Sequence, residues 1–181
     1  DLGDIRLHYR LDGPEDGAPL VFSNALGSDF RIWDKVVARL PGSLRILRYD
    51  TRGHGLSDAP EGPYSMGSLV RDLERLMEHV DMRDAVVVGL SLGGMIAQGL
   101  AAKRLDLVRA LVLSNTACKI GTRDIWADRI ATVTEGGTAA LAEGTLQRWF
   151  SPPFHDTPEI TGWRHMLERT DRTGYAGCCH A

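Results

Sequence analysis

Cysteine is scarce, long apolar runs are missing, and charge of one sign never accumulates. The three cysteines are Cys118 and the adjacent pair Cys178 and Cys179. That odd number lacks the spacing of a disulfide framework, which favours a reducing compartment and a cytoplasmic protein. No apolar run approaches the roughly 20 residues that span a bilayer. Residues 1–20 also lack the basic start and apolar stretch of a signal peptide. The expectation is a soluble chain with no membrane partner. With 21 basic and 24 acidic residues interspersed, the net charge of -3 leaves no basic footprint for nucleic acid and no acidic tail. Metal-ligand spacing is absent as well, and three consecutive residues such as Cys178-Cys179-His180 cannot close a tetrahedral site alone.

What is present is alternation. A length of 181 residues suits one core. The stretch "IRLHYRLDG" (5–13) alternates apolar and polar residues into an Asp-Gly turn and predicts a half-exposed first strand. "PLVFSN" (19–24), "SLRILRYD" (43–50), "AVVVGL" (85–90) and "VRALVLSN" (108–115) are short apolar runs of the kind buried on both faces of a parallel sheet. Between them, Met66, Leu69, Val70, Leu73, Leu76, Met77 and Val80 fall at helical spacing. Arg71, Asp72, Glu74, Arg75 and Glu78 are expected on the opposite, solvated face. This pattern predicts an α/β fold with a doubly wound, mostly parallel sheet, whose ligands gather outside the carboxyl ends of the strands. Residues 1–115 would form the amino-terminal part of that core. Residues 116–181 carry helical patterns, three of the four tryptophans and the break "SPPF", and read as a helical lid.

The chemistry sits at "VVVGLSLGGMIAQG" (86–99), where a strand runs through Gly89-Leu90-Ser91-Leu92-Gly93 into a helix. A serine on such a strained turn stands clear of the sheet as a nucleophile. Glycines two residues to either side avoid a collision at the tight crossing. The backbone N–H of Leu92 would point at a developing oxyanion, and the loop after the earlier strand would supply a second donor. In "SNALGSDFRIWD" (23–34) the candidate is the N–H of Leu26, flanked by a small residue and a glycine, with Asn24 fixing the loop or touching substrate.

Together with "YDTRGHGLSDAP" (49–60), "LVLSNTACKIGTRDIW" (111–126), "RWFSP" (148–152) and "GYAGCC" (174–179), these motifs resemble the 3-oxoadipate enol-lactonases of the α/β-hydrolase superfamily. The resemblance covers nearly the whole chain. It implies hydrolysis of a small lactone through an acyl-enzyme on Ser91, in the bacterial breakdown of aromatic compounds, with no cofactor and no metal. The free carboxylate of such a substrate would want a cation, for which Arg123, Arg129 and Arg148 are candidates, Arg129 being the one favoured. Trp126 would wall the pocket.

The acid and histidine of a triad follow the serine on later strands in this superfamily, and here no strand pattern follows Asn115. His54 and Asp50 precede the nucleophile, and the family pattern makes their turn structural. Asp124 and Asp128 lie in a lid helix. His155 and His165 sit in the lid, and His180 stands beside the terminus. The expectation is therefore that the chain is the amino-terminal part of a longer hydrolase, whose further segment of about 60 residues (two strand-helix units) supplies the base. "RALVLSN" would otherwise be an exposed apolar edge. Three alternatives remain: another carboxylesterase or acyltransferase of the fold, a noncatalytic binding module, and an inactive fragment.

Overall fold

The computed structural model describes residues 1–181. Five strands form one sheet: β1 (Tyr9–Asp12), β2 (Ala18–Ser23), β3 (Leu44–Tyr49), β4 (Ala85–Leu90) and β5 (Val108–Ser114). Their order is β1-β3-β2-β4-β5. All neighbours are parallel except β1, which runs antiparallel to β3. The helices are α1 (Asp34–Val37), α2 (Met66–His79), α3 (Leu92–Lys103), α4 (Arg123–Gly136), α5 (Ala142–Trp149), α6 (Pro152–His155), α7 (Glu159–Glu168) and α8 (Arg172–His180). None is long and apolar enough to cross a membrane.

The order of the strands decides where chemistry can happen. The chain steps from β2 outward to β3 in one direction and returns past β2 to lay down β4 on its other side. A crevice therefore opens between the carboxyl ends of β2 and β4, the switch point at which doubly wound sheets bind ligands. Ser23 at the end of β2 stands opposite Gly89 near the end of β4. The loops carrying Leu26 and Ser91 thus leave the sheet side by side.

Apolar side chains fill both faces of the sheet. On one face Leu69, Leu73, Leu76 and Met77 of α2 join Ile96 and Leu100 of α3 over Val21, Leu47 and Val87. On the other, Phe22, Leu20 and Ile46 pack with Trp33. The larger cluster continues without a break into Val133, Leu167, Tyr175, Cys178 and Cys179. The helices after residue 116 therefore share the core of the sheet rather than building one of their own.

Two expectations need correction. The first strand is shorter than 5–13 because residues 6–8 pair with the 50–58 turn instead. Asp58 N–H donates to the Arg6 carbonyl (3.0 Å) and Asp50 N–H to that of His8 (2.9 Å), while His8 N–H donates to Ser57 Oγ (2.9 Å). In α2, Asp72 and Glu74 are buried rather than solvated, because cations from elsewhere meet them: Arg52 at Asp72, Lys103 and Arg104 at Glu74. The edge behaves as expected. β5 pairs only with β4, and its Val112 and Leu113 are 50% and 45% exposed.

Candidate active site

Ser91 occupies the turn between β4 and α3 with φ 53° and ψ -117°, a left-handed conformation that costs a serine about 1–3 kcal/mol. The end of β5 holds it there. Ser91 N–H donates to the Ser114 carbonyl (3.0 Å), and Thr116 Oγ1–H donates to the Ser91 carbonyl (2.7 Å). A Cβ on Gly89 would stand 2.5 Å from the Gly93 carbonyl oxygen, and one on Gly93 would overlap the backbone of Ser23. Both glycines are there because the helix start, the elbow and β2 touch through bare backbone. Ser91 lines two cavities, of about 680 Å³ and about 370 Å³.

Across the crevice, the side chains of Asn24 and Ser28 and the Gly27 N–H in the β2 loop are all engaged. Asn24 Nδ2–H donates to the Tyr49 carbonyl (2.6 Å) and its Oδ1 accepts from Trp33 Nε1–H (2.7 Å). Ser28 N–H and Oγ–H both donate to the Ala25 carbonyl. Gly27 N–H donates to His54 Nε2 (2.9 Å). Leu26 N–H makes no hydrogen bond within the chain, and Leu92, which opens α3, has no intrahelical acceptor for its own. Leu26, Ser91 and Leu92 line the same larger cavity. A serine on a strained turn with two unpaired N–H groups in one cavity is an arrangement chemically able to attack a carbonyl and hold the resulting oxyanion.

The structure places the other candidates unevenly. Asn24 is fully buried with both ends of its amide occupied, so it fixes the loop and does not reach a ligand. Trp126 lines the larger cavity, its Nε1–H donating to the Ile120 carbonyl (2.6 Å). Arg123 lines that cavity too, and Arg148 lines the smaller one. Arg129 lines neither: its guanidinium lies over the Trp126 ring at 5.2 Å and reaches the Tyr175 hydroxyl at 3.4 Å. Asp50 is a buried hub, its carboxylate accepting from Phe30 N–H (2.9 Å), Leu56 N–H (3.0 Å) and His8 Nδ1 (2.8 Å). His180 shares the larger cavity with Ser91, but the Ser91 hydroxyl forms no hydrogen bond to it or to any other group of the chain.

His54 is structural, as its turn led us to expect, and its partner is the loop after β2. Its Nε2 accepts from Gly27, which leaves the proton on Nδ1, facing the Arg52 carbonyl at 3.1 Å. The ring is thus a neutral strut beneath the Leu26 loop. The "RGHG" turn was the available signal, since a histidine anchored by a turn after one strand can reach the loop after the neighbouring one.

Burial pushes the His54 imidazole below its ordinary value. Unfolded, it titrates near 6.5. From there down to the depressed folded value the unfolded chain binds more protons, so stability falls as pH drops through that window and levels off below it. His54→Gln keeps an acceptor and does not titrate. Urea midpoints measured between about pH 5 and 8 should therefore slope less in H54Q than in the parent. Equal slopes would remove His54 as the cause.

The chain belongs to the α/β-hydrolase fold family, whose model matches residues 18–150. Within it, the chain falls with the 3-oxoadipate enol-lactonases. It is 37% identical to 3-oxoadipate enol-lactonase 2 of Acinetobacter baylyi, over 98% of this chain and 67% of that protein. Its identity to 3-oxoadipate enol-lactonase 1 of the same organism is 34%, over 97% and 66%. Among solved structures, the enol-lactonase of Burkholderia xenovorans superposes with a TM-score of 0.94 at 41% identity, over 98% of this chain and 70% of that one. The chain spans about two thirds of the length of the curated relatives it matches.

Proposed function

We propose that this chain carries the nucleophile half of a serine hydrolase that opens 3-oxoadipate enol-lactone to 3-oxoadipate, a step in aromatic-compound breakdown. The observation that carries the reading is the convergence of the strained Ser91 with the free N–H groups of Leu26 and Leu92 in one cavity. The enol-lactonase relatives narrow the ester to a lactone.

In this reading Ser91 Oγ attacks the lactone carbonyl carbon, and its proton passes to a general base. The Leu26 and Leu92 N–H groups hold the oxyanion of the tetrahedral intermediate. Collapse breaks the ring C–O bond, and the enol oxygen takes the proton back and tautomerises to the ketone. Water, deprotonated by the same base, then releases the acid from Ser91. Residues 116–181 act as the lid over Ser91. The base and its supporting acid come from a part of the protein outside these 181 residues. Three observations support that: the unbonded Ser91 hydroxyl, the bare edge of β5 and the greater length of the relatives.

The test is made on the complete protein. Ser91→Ala should lower kcat on the enol-lactone by about 10⁴-fold or more, and a fluorophosphonate probe should add its mass to the peptide containing Ser91 in the parent only. Undiminished turnover in S91A would overturn the assignment.

A further inference from the structure

We infer that Tyr175 is a positioning residue of the oxyanion hole: its ring holds Gly27 in place and so aims the neighbouring Leu26 N–H at the cavity. The inference rests on the hydrolase reading above and adds to it a side chain remote from the elbow in sequence.

A turn sets the direction of that N–H. Ser28 N–H (3.2 Å) and Ser28 Oγ–H (2.7 Å) both donate to the Ala25 carbonyl, which closes residues 25–28 with Leu26 and Gly27 at the centre. The Ala25–Leu26 peptide is planar and trans. A fixed Ala25 carbonyl therefore leaves the Leu26 N–H one direction, the opposite one. Gly27 has φ 82°, the left-handed value that a turn of this kind asks of its third residue. What holds Gly27 thus holds the donor.

Gly27 is held on two sides. Its N–H is taken by His54 Nε2. Its α-carbon faces α8 and α7, where an added Cβ would stand 3.0 Å from Tyr175 Cε2 and 2.6 Å from Leu167 Cδ1. Tyr175 has no room to retreat. It is fully buried, Arg129 reaches its hydroxyl at 3.4 Å, and its N–H donates to the Asp171 carbonyl (2.8 Å). The helix that carries it is pressed backbone to backbone on the turn that carries His54. A Cβ on Gly53 would stand 2.3 Å from the Gly174 α-carbon, and one on Gly174 would stand 2.2 Å from that of Gly53. The next residue along each segment is a support of Gly27, and the rings of His54 and Tyr175 lie 6.3 Å apart. Tyr175 lines neither cavity at Ser91, so it acts on the reaction through Gly27 and not by touching the substrate. The atoms that face Gly27 are Cε2 and Cδ2, which assigns the task to the ring rather than to the hydroxyl.

The test is kinetic, on the complete protein with the enol-lactone. Turnover is counted per site that takes a fluorophosphonate to completion, so an unfolded fraction does not enter. Tyr175→Leu should lower kcat by about 10- to 100-fold, short of the roughly 10²- to 10³-fold cost of losing an oxyanion donor outright. KM should stay nearly unchanged, because the donor acts in the transition state. Tyr175→Phe keeps the ring and should turn over as the parent does. Tyr175→Met, whose flexible side chain refills the space, should also lose kcat and stands in should Tyr175→Leu not fold. Leu76→Val, at a fully buried residue of α2, should lower stability with kcat unchanged. Parent-like kcat in Tyr175→Leu and Tyr175→Met, an equal loss in Tyr175→Phe or Leu76→Val, or a rise in KM in place of the fall in kcat would each overturn the inference. Undiminished turnover in S91A would instead remove the hydrolase reading and the inference with it, whereas loss in S91A without loss in the Tyr175 variants removes the role of Tyr175 alone.

Discussion

Replacing Gly93 by alanine is expected to cost about 3 kcal/mol, the upper range for forcing extra volume into a packed site. The added methyl would overlap the carbonyl of Ser23 at the end of β2 and crowd the Asn24 carbonyl beside it. Neither can retreat easily. Ser23 is held in the β2–β4 ladder opposite Gly89, its Oγ pairs with the Tyr49 hydroxyl at 2.9 Å, and Asn24 is bonded at both ends. The strain therefore falls on the start of α3, and through it on Ser91 and the Leu92 N–H. A matched control is Gly42→Ala, where an added Cβ meets nothing within 4 Å and the change should lie within about 0.5 kcal/mol. Urea unfolding of the two variants decides the matter. A G93A variant as stable as G42A would show that the elbow and β2 do not press on each other as described.

The same contact explains what the sequence could reveal. The elbow was legible because its requirement is local: a β-branched run, two glycines at fixed offsets and a helix start lie within 14 residues of chain. The sheet strands were legible for the same reason, their boundaries agreeing to within a residue or so with β2 through β5. What was not legible depends on partners distant in the chain. Asn24 looked available to a ligand because nothing in residues 23–34 shows that Tyr49 would take its amide. Arg129 looked available because the Tyr175 hydroxyl that it reaches lies 46 residues on, in another helix. Asp72 and Glu74 fell on the polar face by periodicity, and periodicity carries no record of Arg52 or Arg104 arriving from outside. His54 was read as part of a structural turn, and it is one; what the sequence did not show is its partner, the Gly27 N–H of the neighbouring loop. In each case a polar side chain took its role from a hydrogen bond across the fold, which apolar patterning does not encode.

The ion pair between Arg52 and Asp72 yields the other large effect. Both oxygens of Asp72 accept from the guanidinium, each at 2.6 Å, and the residue is only 3% exposed. Arg52→Met would leave that charge buried without a partner and is expected to cost about 3–5 kcal/mol at neutral pH. The pH dependence fixes the cause. Burial already holds the Asp72 carboxyl above its ordinary value against the pull of Arg52, and without the guanidinium it rises further. A raised folded pKa means that the folded chain binds the extra proton. The penalty is therefore absent below the unfolded value near 3.9 and grows as pH climbs through the raised folded value. The gap between R52M and the parent should accordingly shrink in acid. The double variant Arg52→Met, Asp72→Leu removes the stranded charge and should recover much of the loss at neutral pH. Arg52 also lies over the Tyr64 ring at 5.3 Å, and its carbonyl faces His54 Nδ1. A loss unaffected by acid, and not recovered in the double variant, would move the cause from the buried carboxylate to that packing.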